Sequence, residues 1–165
     1  MIIIRNFKYL KLLMIKLNRM TDYAILIIGT LHSNSNRTLS SIEIAKNVNL
    51  NQSTVAKIVK ILSSNNLIKT NRGVNGGCSL AKSVSDINLV DVIQAIEGPI
   101  ALTACIDGAD VSCGVRNSCF MDGSWNKINN AIRSALENIS LAELFDPSLM
   151  FPKKDDNTQI LNKKI

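Results

Sequence analysis

Aromatic residues are scarce, 4% of 165. That argues against a surface that grips single strands or sugars by ring stacking. One histidine, His32, and only four glutamates are present. Histidine acid–base chemistry is excluded unless His32 acts alone. With no nucleophile–base pair and no phosphate loop of P-loop spacing, an enzyme is a poor reading. No stretch approaches the roughly 18–20 apolar residues of a membrane span. The start, MIIIRNFKYLKLLM, is apolar and basic, yet it lacks a long unbroken apolar core and a small-residue cleavage site, so it is a poor export signal. The expected location is the cytoplasm, where thiols stay reduced. The four cysteines then read as metal ligands, redox groups or core filler rather than disulfides. A chain of this length buries roughly 70% of its unfolded surface and needs no covalent staples.

Acids are nearly absent from the first half. Residues 1–82 carry twelve Lys/Arg against Asp22 and Glu43, a net of +10. Residues 83–150 carry three bases against nine acids, a net of −6, and the last fifteen residues return to +2. One half is drawn to polyanions and the other is repelled, which points to a nucleic-acid-binding part joined to a part with another task.

The first half has the pattern for such a part. Residues 21–32 read as a helix capped by Thr21 or Asp22, with a stripe of Ala24, Ile27, Ile28 and Leu31. Ser40 or Ser41 opens a second helix, Ser40 and Glu43 having capping-box spacing, with Ile42, Ala45 and Val48 inward. A third helix over 52–64 buries Val55, Ile58, Val59 and Leu62. Its other face, Gln52, Ser53, Thr54, Lys57 and Lys60, is polar and basic without an acid. Residues 67–71 and 78–81 then form a β-hairpin around a glycine-rich tip. The whole is a winged helix-turn-helix. Gln52, Ser53, Thr54 and Lys57 are placed to meet base edges and phosphates in a major groove, and Lys60 and Lys69 to meet phosphates. Arg72 at the tip suits a narrow minor groove, and the tip glycines, Gly76 among them, admit close approach of a phosphate chain.

The second half holds a different signal. Residues 86–97 form a helix through Leu89, Val92, Ile93 and Ile96, ended by Gly98-Pro99. Residues 104–123, ACIDGADVSCGVRNSCFMDG, have no helical or strand period. Within them Cys105, Cys113 and Cys119 are spaced C-x7-C-x5-C. Core cysteines sit on buried faces, and these do not. Thiolates suit zinc, an iron–sulfur cluster, or a metal-free redox switch. Zinc sites usually contain C-x2–4-C pairs, so the wider spacing favours iron–sulfur. A fourth position is open; Asp122, Asp107 and Asp110 are near in sequence, while Asp22, His32 and Cys78 need the fold or another subunit. Cys78, in the return strand, reads as packing. Trp125, Ile128, Ile132, Ala135, Leu136 and Ile139 then recur at steps of three and four along a helix over 124–139, a seam for a partner helix and hence a homodimer. A short helix over 141–145 follows.

The fold class is therefore mainly α with a small β-hairpin: a winged helix-turn-helix plus a long dimerisation helix. The expected organisation is an extension over 1–13, the DNA-binding domain over 14–84, a linking helix and cysteine-rich loop over 85–123, the dimerisation helix over 124–149 and a flexible tail over 150–165.

These motifs resemble the Rrf-two (IscR/NsrR-type) transcriptional regulators. The resemblance runs from about Met14 to Phe145 and rests on LNRMTDYAI, STVAKIVKIL, RGVNGGCSLAK and three cysteines ahead of WNKINNAI. EGPIALTAC and SCFMDGSWNKIN look most like the branch that regulates SUF iron–sulfur cluster assembly. The resemblance implies a homodimeric winged-helix repressor or dual regulator, binding a double-stranded DNA operator, without membrane or small-molecule substrate. It also implies an iron–sulfur cluster of two-iron or four-iron type on Cys105, Cys113 and Cys119. Relatives take a fourth ligand from a histidine three residues beyond the third cysteine, a place held here by Asp122, or from an aspartate matching Asp22 of the partner subunit. The family's base-contacting glutamate on the third helix falls near Ala56, so its sequence preference does not transfer.

Overall fold

The computed structural model describes residues 17–73, 76–103, 106, 119, 121 and 123–150. Helix α1 spans Arg19–Ser33 and starts earlier than its Thr21-Asp22 pair suggests. Asn18 is the cap, its side-chain oxygen accepting the Met20 N–H at 3.0 Å. Thr21 is instead fully buried one turn in. The Ala24, Ile27, Ile28 and Leu31 stripe is buried as its spacing requires.

Helix α2, Ser41–Val48, is entered through a complete capping box between Ser40 and Glu43. Its buried residues are Ile44 and Ala45, with Val48 half-buried, while Ile42 is 65% exposed. The expected inward face was thus centred wrongly. Ile44, Ala45 and Val48 share one arc, and Ile42 lies about a third of a turn from its centre. Asn49 takes the left-handed conformation at φ 53° and turns the chain into α3, Gln52–Ser64, whose four inward residues are those expected.

Strands β1, Ile68–Asn71, and β2, Gly77–Leu80, pair antiparallel with Thr70 opposite Cys78. Both strands are displaced by one residue from their expected starts or ends. Leu39 adds a short third edge, exchanging both backbone hydrogen bonds with Cys78 at 3.0 and 2.7 Å. This seats the hairpin on the segment that leads into α2. A 3-10 turn, Val84–Asp86, then precedes α4, Leu89–Glu97, so the helix expected over 86–97 is split by Asn88, which caps α4 in a second capping box. Val90, Val92 and Ile93 are its buried residues; Leu89 and Ile96 are half-buried.

Helix α5 covers Ser124–Glu137, two residues short of the expected end. The chain then returns to α4: Leu89 donates its N–H to Ile139 O at 2.9 Å, and Leu141 to Ile87 O at 2.8 Å. Helices α6, Leu141–Leu144, and α7, Pro147–Met150, close the described chain. Leu141 joins Ile27, Ile28, Leu39, Ile44, Ile58, Leu62, Ile68 and Ile87 in one core, all fully buried or within 2% of it. Each such side chain contributes about 1.5–3 kcal/mol. No helix among the described residues is long and apolar enough to cross a membrane.

Candidate nucleic-acid interface and cysteine segment

The start of α3 is held by its own side chains. Asn51 Oδ1 accepts the Thr54 N–H at 2.8 Å and the Ser53 hydroxyl at 2.9 Å. Gln52, Ser53, Lys57 and Lys60 are exposed along one side, with Thr54 half-buried. In β1 everything after Ile68 is exposed, which presents Lys69, and Arg72 follows at the tip. Six of the eight expected DNA-facing residues are thus exposed, on α3 and on the hairpin, while Thr54 and Gly76 are half-buried.

Gly76 is explained by the turn. Its N–H bonds to Gly73 O at 2.9 Å, and a Cβ there would stand 2.4 Å from Asn71 O. Gly77 has a different role: a Cβ would meet Leu39 O at 2.9 Å, on the backbone that anchors the wing. Gly77→Ala is expected to push β2 off Leu39 and destabilise the protein by about 1–3 kcal/mol, measured by urea unfolding. A variant as stable as the parent would show that the anchor yields freely.

The electrostatics of this surface are one-sided. Ion pairs among the described residues join Arg37 to Glu43, Lys82 to Asp91 and Arg133 to Glu137. Lys57, Lys60, Lys69 and Arg72 belong to none of them. Of the two acids in the basic half, Glu43 is engaged: the Arg37 guanidinium at 2.7 Å, and then Ser40, hold its carboxyl down at about 2. The other, Asp22, is exposed on the first turn of α1.

Of the cysteines, Cys78 is buried in the main core, and that burial pushes its thiol up. A protonated buried thiol is a poor ligand, so its place is packing. Cys119 is a free, half-buried thiol. Cys105, Cys113, Asp107, Asp110 and Asp122 lie outside the described residues. The donor set of three thiols and nearby carboxylates fits an iron–sulfur cluster chemically. No group of three His, Cys, Asp or Glu gathers elsewhere among the described residues. His32 is exposed at the far end of α1 from Asp22, about 15 Å along the helix. It stacks on Phe145 with centroids 6.0 Å apart.

Both edges of the cysteine segment are tied down. Upstream, Asn129 of α5 donates Nδ2–H to Ile100 O at 2.9 Å and accepts the Leu102 N–H at 3.2 Å. Ile106 is buried. Downstream, Ser124 N–H bonds to Met121 O at 3.0 Å and leads directly into α5. The signal for Asn129 is its spacing: four residues after Trp125 and seven before Leu136, it sets a polar side chain on the apolar stripe of α5.

A helix-turn-helix with a hairpin wing and a cationic reading face defines a winged-helix transcriptional regulator. The profile of the Rrf2 family, described as iron-dependent transcriptional regulators, matches residues 17–147. The chain belongs to that family. The HTH-type transcriptional regulator NsrR of Oceanobacillus iheyensis is 33% identical over 129 residues, which are 78% of this chain and 88% of that one. The structure of CymR, the global cysteine regulator of B. subtilis, is 25% identical, with a TM-score of 0.60 over 79% of this chain and 96% of that one. T. potens IscR shares the fold, with a TM-score of 0.56 at 24% identity over 79% of this chain and 85% of that one. These relatives are regulators, not enzymes.

Proposed function

We propose that the protein is an iron–sulfur-sensing, homodimeric DNA-binding regulator, a repressor of cluster-assembly genes. Gln52, Ser53, Thr54 and Lys57 read the operator's major groove. Lys60 and Lys69 meet its phosphates, and Arg72 enters a minor groove beside the turn shaped by Gly76. Cys105, Cys113 and Cys119 hold the cluster, with Asp122 or Asp22 of the partner subunit completing it. A carboxylate is a weaker, more exchangeable ligand than a fourth thiolate, which suits a sensor. When bound, the cluster supplies a labile charge whose presence registers iron and sulfur supply. The observation that supports the reading is at the edges of the cysteine segment: Asn129 of α5 holds Ile100 and Leu102 just before it, and Met121 leads through Ser124 into α5 just after it. Half-site spacing sets operator affinity, so a segment in that position is placed to govern it.

The likeness to NsrR and CymR favours a second reading, in which the same thiols answer nitric oxide or oxidation, or hold zinc, rather than register cluster supply. Purification without oxygen, with iron and acid-labile sulfide counted per protomer, separates the two. Matched iron and sulfide with visible absorbance is expected. Colourless protein after reconstitution, or protein holding only zinc, overturns the cluster. DNA binding has its own readout. Four cations per protomer predict a double-logarithmic salt slope of up to about −7 for the dimer. Salt-insensitive binding overturns the reading face.

A further inference from the structure

The buried polar side chains among the described residues are Thr21 and Asn129, and both grip the same short segment. At one end the Thr21 hydroxyl donates to Glu97 Oε1, and the same oxygen accepts the Asn18 N–H at 2.8 Å. At the other end Asn129 makes its two bonds to Ile100 and Leu102. Between them stand Gly98, at φ 86°, and Pro99, whose ring fixes its own φ.

The position of Glu97 is unusual for its type. It ends α4, where an acid faces the negative pole of its own helix. Its carboxylate instead meets the first turn of α1, whose pole attracts it. The link therefore has a tertiary purpose rather than a local one. The same stretch forms one wall of an apolar cavity: Pro99, Ile100 and Leu102 line about 220 Å³ together with Ile93, Ile132 and Leu136.

We infer that Glu97 and Asn129 are positioning residues that make residues 97–102 a rigid strap, coupling the base of the cysteine segment to the first turn of α1. Leu102 lies just before that segment. Thr21 lies one residue from Asp22 and one turn from Ala24, where the head's core begins. A displacement at Leu102 has little slack to be absorbed in, and arrives at α1. Helix α1 packs on both α2 and α3, so the displacement reaches the reading helix. The biological meaning of the coupling rests on the proposed sensor; the coupling itself does not.

Hydrogen exchange on the full-length, metal-free protein tests it. Asn129→Ala is expected to speed exchange of the amides at residues 21–24 about tenfold or more, although Asn129 makes no hydrogen bond to α1. Glu97→Ala is expected to speed exchange at Leu102, and Glu97→Gln, whose amide oxygen still accepts both bonds, to restore parental rates. Effects confined to the immediate neighbours of each substitution overturn the strap. If Asn129→Ala unfolds the whole chain, the Glu97 pair decides alone, because a merely local role leaves Leu102 unmoved. Iron and sulfide counted on the same variants read the sensor separately: coupling without iron sinks the sensor and spares the strap, and iron without coupling does the reverse.

Discussion

Cys113→Ala is expected to bring iron and sulfide to background while leaving a folded dimer that still binds DNA. The middle thiol of three has no substitute within reach in sequence, and removing it leaves two thiolates and a carboxylate, too few to hold a cluster against exchange. The fold is expected not to notice, because among the described residues the main core is built from α1 to α4, the hairpin and Leu141. Cys78→Ala supplies the opposite signature. It removes a buried sulfur from the core, so stability falls by about 1–2 kcal/mol while iron content stays parental. Visible spectra, metal analysis and urea unfolding on the two variants read both outcomes. Unchanged iron in Cys113→Ala would falsify the ligand assignment. Asp122→Ala and Asp22→Ala, compared on the same assay, then rank the two fourth-ligand candidates by which one makes the bound iron more readily lost.

The reading head was legible because its signals are local. The α3 stripe repeats over about two turns, the Ser40–Glu43 box lies within four residues, and the glycines mark the hairpin, a Cβ at Gly76 being blocked by the turn. Where the signal was short, it failed. Helix α2 has eight residues, too few for periodicity to choose between Ile42 and Ile44. Thr21, like Asp22, has the chemistry of a cap, which is all that its local sequence conveys. Its actual partner, Glu97, is 76 positions away, and no local rule reaches that far. The partners of Asn129 are also remote, 27 and 29 residues upstream. Thr21, at a helix start, looks like a local cap, whereas Asn129 stands out by its spacing as a polar residue inside an apolar stripe and only its partners lie beyond local reach. Cys78 went the other way, because a lone cysteine in an alternating strand is most simply core, and it is.

Ile128→Glu is expected to split the dimer and weaken operator binding at least a hundredfold. In α5 the buried residue is Asn129, while Ile128 stands 41% exposed and Trp125, Ile132 and Leu136 are half-buried, as is Ile139 just beyond the helix. Within one protomer the stripe is thus partly covered, with its open edge at Ile128. The spacing of three and four suits a second copy of the same helix, and a two-fold axis through that seam suits a reading head that recognises half-sites in pairs. A symmetric dimer loses two isoleucine contacts per substitution, about 4 kcal/mol at roughly 2 kcal/mol each, or near a thousandfold in dimer dissociation before the cost of placing two carboxylates face to face. Ile128 is the position of choice because the strap cavity is lined by Ile132 and Leu136 but not by Ile128. The variant protomer should therefore keep its fold and its circular dichroism. Sedimentation should report a monomer, and the salt slope should fall to about half, since one head offers four cations rather than eight. A variant that stays dimeric with an undiminished slope would move the partner surface away from α5, and would overturn the proposed route from the cysteine segment to the spacing of two reading heads.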